Sequence, residues 1–110
     1  MPAPAPNDRL DGLVDALGKD GARELVALYL DSFAVLLAEI ESGDSTRAER
    51  AAHSLKSSSQ QMGLPGLARK LAELEESLRS TGKAVTQPEI DSIKAAFAAA
   101  EDPLRAFAGD

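Results

Sequence analysis

Apolar residues recur at three- and four-residue steps along nearly the whole chain, the period of amphipathic helices. Leu10, Leu13, Val14 and Leu17 form a short first stripe, with Asn7 or Asp8 as its cap and Gly18 as its end. Asp20 can cap a second helix, whose apolar set is Leu25, Leu28, Tyr29, Phe33, Leu36, Leu37 and Ile40, closed by Gly43. Asp44, Ser45 and Thr46 offer caps for a third, and Thr46 with Glu49 has the spacing of a capping box. That helix runs to Met62 and stops at Gly63, where Gly63-Leu64-Pro65-Gly66 reads as a tight turn. Leu67, Leu71, Leu74 and Leu78 make the seam of a fourth helix, which ends at Ser80-Thr81-Gly82. A fifth opens on another capping box, Thr86 with Glu89, tolerates Pro88 in its first turn, and carries Ile90, Ile93, Phe97 and Ala100. Pro103 lacks an N–H, so a kink or break is expected near Ala99, with Leu104 and Phe107 packing beyond it.

No stretch alternates as a strand would, and no internal repeat is evident. The pattern predicts an all-α fold: an antiparallel up-and-down four-helix bundle of long helices, with a short extra N-terminal helix over one end. Residues 1–6 alternate Pro with Met or Ala, and each Pro fixes φ and removes a donor, so they are expected to form a disordered, extended tail. Residues 7–110 then make one bundle domain. At 110 residues the core is small, and most helices must contribute to it.

Composition narrows the chemistry. Ala and Leu dominate the apolar set, Trp is absent and Tyr occurs once, which favours helix over strand. A net charge of −6 argues against nucleic acid and anionic membrane as partners. Without Cys there is no disulfide frame and no thiolate metal site. The N-terminus has neither the basic nor the apolar region of a signal peptide, and no apolar run is long enough to cross a bilayer. A cytoplasmic, monomeric chain is expected, and its initial Met and tail favour a free-standing one.

The single histidine, His53, falls in the third helix. On a wheel of that helix, Ala48, Ala51, Ala52, Leu55, Ser59 and Met62 cluster as the core stripe. His53 lies about 150° from the centre of that stripe. Glu49, Lys56, Ser57 and Gln60 share its side. An idle surface histidine fits that position, and two features set against it a histidine that carries a phosphoryl group. Lys56, at i+3, is adjacent on the helix surface and could neutralise a group bearing roughly two negative charges. Ala52, Ser54, Ser57, Ser58 and Ser59 are small, so another protein can approach the imidazole, although small residues also let helices pack closely.

The turn between the third and fourth helices centres near Leu64, and His53 and Glu75 are each about eleven positions from it, so in an antiparallel hairpin they lie level. Glu75 can then accept a hydrogen bond from Nδ1–H and leave Nε2 as the nucleophile. Equally, Glu75 can form a surface i,i+4 pair with Arg79. Phe33, near the same face of the second helix, falls by the wheel on the core side.

The stretch Arg50-Ala51-Ala52-His53-Ser54-Leu55-Lys56-Ser57-Ser58-Ser59-Gln60-Gln61-Met62-Gly63 resembles the signature of histidine-containing phosphotransfer (HPt) domains, A-H-x-L-K-[GS]-S-[SA]-x-x-x-G. Residues 24–40 resemble the helix that precedes this motif, and Leu67 through Leu78 the one that follows. The resemblance implies that His53 takes a phosphoryl group from a receiver-domain aspartate and passes it to another receiver. It implies that Lys56 stabilises the phosphoryl group, that Glu75 orients the imidazole, and that Gly63 ends the helix. Ser57 stands where Gly is frequent, and its hydroxyl could contact the phosphoryl group or narrow the docking surface, for which Ser57, Gln60 and Glu49 are candidates.

On that reading the chain is a carrier and not an autonomous enzyme. It needs no cofactor, with Mg²⁺ supplied by the receiver. Its partners are response-regulator receiver domains or a hybrid histidine kinase. A non-transferring module that sequesters a response regulator is the alternative. The phosphoacceptor region of a histidine kinase fits poorly, because Ser54 follows His53 where such kinases carry Glu.

Overall fold

The computed structural model describes residues 3–109, which form four helices and no strand. They are α1 (Asp8–Ile40), α2 (Ser45–Gln61), α3 (Pro65–Thr81) and α4 (Gln87–Ala108). Both α1 and α3 pack against α2 and against α4, so the four close into a ring around one core. Each helix lends its apolar stripe: Val26, Leu30, Phe33 and Leu37 from α1, Ala52 and Leu55 from α2, Leu71 and Leu74 from α3, Ile90, Ile93, Leu104 and Phe107 from α4. A fully buried Leu or Phe contributes about 1.5–3 kcal/mol, against about 0–1 for a surface ion pair, so these stripes and not the surface charges hold the fold. Phe33 lies in the core, stacked on Phe97 at 3.7 Å between ring centres.

The caps settle where helices begin. Asn7 Oδ1 accepts from Leu10 N–H at 2.9 Å, while its Nδ2 donates to the Met62 carbonyl at 3.0 Å. One side chain therefore starts α1 and fastens it to the end of α2. Gly63 lies opposite, at φ 77°, and a Cβ there would collide with the Asn7 amide. Both the left-handed backbone and the close approach demand glycine. The Thr86–Glu89 capping box at the start of α4 is present in both directions.

At Gly18, where the sequence predicts the first helix to end, the backbone is not helical: φ 80°, ψ 165° is a region that essentially only glycine enters, and α1 is two helical stretches joined across a kink at that residue. Other sequence expectations need correction. Helix resumes directly after Gly18, which leaves Asp20 within α1 and not at a cap. The Thr46–Glu49 capping box does not form, because Asp44 caps α2 by accepting from Arg47 N–H at 3.1 Å. Leu17 and Leu28 are 53 % and 62 % exposed. Leu28 lies about 150° from the centre of the α1 stripe, a distance its i+3 spacing from Leu25 conceals. Pro103 does not break α4, which continues to Ala108. Pro103 and Ala99 are both exposed, so the carbonyl that lost its partner faces water, while buried Leu104 and Phe107 hold the following turns in place.

Of the Pro/Ala tail, Met1 and Pro2 lie outside the described residues. Ala3 N–H donates to the Ala106 carbonyl at 3.0 Å, and Ala5 packs against the core. Among the described residues no helix is long and apolar enough to cross a membrane.

Candidate functional site

The site grows from the small-residue stripe of α2. Ala48, Ala51, Ala52, Leu55, Ser59 and Met62 are each at most 2 % exposed, the same six residues the wheel assigns to the core. Ser59 is the polar member, and its hydroxyl is matched by that of Tyr29 at 2.8 Å. With that stripe inward, His53 faces outward, its side chain 61 % exposed.

Across from it, α3 buries its leucine seam and takes Glu75 down with it, to 6 % exposure. A carboxylate so placed costs several kcal/mol unless it is paired and hydrogen-bonded. Three donors meet it. His53 Nδ1 lies 2.9 Å from Oε2, Lys56 Nζ 2.8 Å from Oε1, and Arg79 Nη2 3.0 Å from Oε2. The two sequence readings of Glu75, partner of His53 or of Arg79, are therefore both present, on the same oxygen.

Burial alone would push the Glu75 carboxyl up. Hydrogen bonds from Lys56 and His53, then the charges of the same two groups, outweigh burial and hold it below the usual carboxylate range. Glu75 is thus ionised at neutral pH. An ionised carboxylate only accepts, so the hydrogen between it and the ring belongs to Nδ1, and in the neutral ring the lone pair is then on Nε2.

Arg79 is anchored further. Its Nε donates to Glu49 Oε1 at 3.2 Å and its Nη1 to Glu76 Oε2 at 2.9 Å. Glu49, expected on the docking surface, is engaged by this arginine beside it. Ser57 and Gln60 are exposed next to His53 and line an open groove with it. The opposite wall is one that sequence reasoning missed: Arg9 and Leu13 of α1. Arg9 Nε donates to the Gln60 carbonyl at 3.2 Å. The Asn7–Met62 contact helps to bring these residues here, and no local pattern announces a contact across 55 positions. Gly63 sits at the end of α2, as expected, and serves that same contact.

The Hpt domain family model matches residues 24–103, most of the chain, and it spans α2, α3 and every member of the carboxylate cluster. The chain belongs to the Hpt domain family. At the family level, Hpt domains are phosphocarrier modules of two-component phosphorelays, working with receiver domains and histidine kinases. No match was found among curated proteins, and none among solved structures. The matched segment begins beyond Arg9 and Leu13, so this wall of the groove lies outside what the Hpt match covers.

Proposed function

We propose that this chain is a phosphorelay carrier in which His53 accepts a phosphoryl group from the aspartyl phosphate of one receiver domain and passes it to another. The hydrogen bond from His53 Nδ1 to buried, ionised Glu75 carries the reading. It fixes the tautomer with a free Nε2 lone pair. In the transfer, Nε2 attacks phosphorus as the P–O bond to the aspartate breaks and its electron pair leaves on that carboxylate. Nδ1 keeps its proton, so positive charge develops on the ring against the Glu75 carboxylate. This is the kind of fixed, oppositely charged group that favours a charge-separated transition state. Lys56 is within one helical turn of the new phosphoryl group and supplies it with a cation.

Phosphoryl transfer requires in-line positioning and charge neutralisation more than covalent help, and a rigid helical face offers both. Mg²⁺ belongs to the receiver in this scheme, and the chain needs no cofactor of its own. Ser57, Gln60 and Glu49 lie around the docked partner, and Gly63 keeps the end of α2 close to α1. The short links and the ring of helix contacts favour an antiparallel up-and-down bundle. In this reading residues 7–110 act as one monomeric, cytoplasmic domain.

The test is transfer of labelled phosphate from phosphorylated receiver domains of the source organism. Wild-type protein should take label within the assay and His53→Gln should take none. Absence of label on wild type with every receiver, or label on His53→Gln, overturns the proposal.

A further inference from the structure

Lys56 cannot serve two anions at full strength. In the unphosphorylated structure its ammonium is spent on Glu75 Oε1, at 2.8 Å, while the proposed reaction needs it at the phosphoryl group on Nε2. If Lys56 turned away from Glu75 with nothing left behind, a carboxylate only 6 % exposed would lose a counter-charge inside the protein. It would then tend to take up a proton or to turn from the ring. Arg79 is placed to prevent this. Its Nη2 lies 3.0 Å from Oε2, the oxygen that accepts from His53 Nδ1, and not from the oxygen that Lys56 holds. Glu49 on α2 and Glu76 on α3 fix the rest of the guanidinium, so Arg79 itself has no reason to follow the phosphoryl group.

We propose that Arg79 is a positioning residue, which keeps the Glu75 carboxylate against His53 Nδ1 while Lys56 moves to the phosphoryl group. The inference rests on the phosphocarrier reading. The division of labour follows from the two oxygens of one carboxylate: Oε1 is the releasable side and Oε2 the permanent one. Arginine suits the permanent side because its planar fork can hold several carboxylates at once.

The test compares Arg79→Gln and Arg79→Lys, each in the native and in the Glu75→Gln background, for the rate of phosphoryl acceptance from a phosphorylated receiver. In the native background Arg79→Gln should slow acceptance by about tenfold, the scale of one charge-assisted hydrogen bond, and Arg79→Lys should recover most of it. In the Glu75→Gln background Arg79→Gln should change the rate by less than about twofold, because a neutral amide needs no counter-charge. No loss in the native background, or an equal loss in both, overturns the proposal.

A second measurement needs no phosphate. In ¹⁵N NMR of the unphosphorylated protein, the share of His53 with its proton on Nδ1 should fall in Arg79→Gln. An unchanged share also overturns the role. Should wild-type protein never accept label, the phosphocarrier reading fails, and the tautomer measurement still decides whether Arg79 positions Glu75.

Discussion

His53 on α2 and Glu75 on α3, twenty-two positions apart, are joined by a 2.9 Å hydrogen bond from an exposed imidazole to a buried carboxylate. The exposed partner is free to react, and the buried one is free to do little except hold it. Removing the acceptor should therefore slow chemistry more than it disturbs the fold. Glu75→Ala is expected to reduce phosphoryl acceptance by about tenfold, the equivalent of one orienting hydrogen bond. Glu75→Gln, whose amide oxygen can still accept from Nδ1–H, should lose less, within about threefold. Single-turnover transfer rates check both, and an unchanged Glu75→Ala rate removes the orienting role.

The same carboxylate gives an acid limit. Its partners hold Glu75 below the usual carboxylate range, so its contribution to stability is complete above that range and is lost as pH falls through its lowered folded-state value. Denaturant unfolding of wild type and Glu75→Gln should therefore converge in stability as pH is lowered past the ordinary carboxylate range, and differ most at neutral pH.

Tyr29 sets an alkaline limit. Burial pushes its hydroxyl up to about 12, and the hydrogen bond with Ser59 pulls the other way. An unfolded tyrosine ionises near 10, so from there to about 12 the unfolded chain has lost a proton that the folded chain keeps. Stability should fall across that window by about 2–3 kcal/mol. Tyr29 is the chain's single tyrosine and Trp is absent, so tyrosinate absorbance reports it directly. Tyr29→Phe should remove this alkaline decline. At neutral pH it should cost about 1–3 kcal/mol by stranding the buried Ser59 hydroxyl, and adding Ser59→Ala should recover part of that loss.

Three glycines should respond differently to alanine. Gly12 is helical with open space where a Cβ would go, and Gly12→Ala should stabilise by about 1 kcal/mol. Gly18 also has open space, but its φ 80°, ψ 165° backbone excludes alanine, so Gly18→Ala should cost about 1–3 kcal/mol. Gly63→Ala should cost more, about 2–4 kcal/mol, because it adds a left-handed penalty to the displacement of the Asn7 cap. Thermal or urea unfolding of the three variants gives the order.

The sequence was most legible where one helix faces one core. Residue spacing alone separates the six buried residues of α2 from His53 and Lys56, and equal distance from Leu64 brings Glu75 level with His53. Legibility failed where a choice depended on a distant contact or on water. Nothing local distinguishes Asp44 from Thr46 as the cap of α2. Pro103 is tolerated because the orphaned carbonyl at Ala99 faces solvent, which a one-dimensional pattern does not reveal. Arg79 could be seen only as a rival to His53 for Glu75, since spacing does not tell which of two carboxylate oxygens each donor takes. Arg9 and Leu13 join the groove through Asn7 and the Met62 carbonyl, a contact that exists only after folding.

The central claim is that Nε2 of His53 holds a phosphoryl group between two receivers. The most direct measurement charges the protein from one labelled receiver, isolates it, locates the phosphate by ³¹P NMR, and then adds a second, unphosphorylated receiver. The account predicts an acid-labile phosphoryl group on His53 Nε2 that passes to the second receiver, and no label on His53→Gln. Phosphate on Nδ1 or on another residue, or label that never leaves the protein, would contradict it.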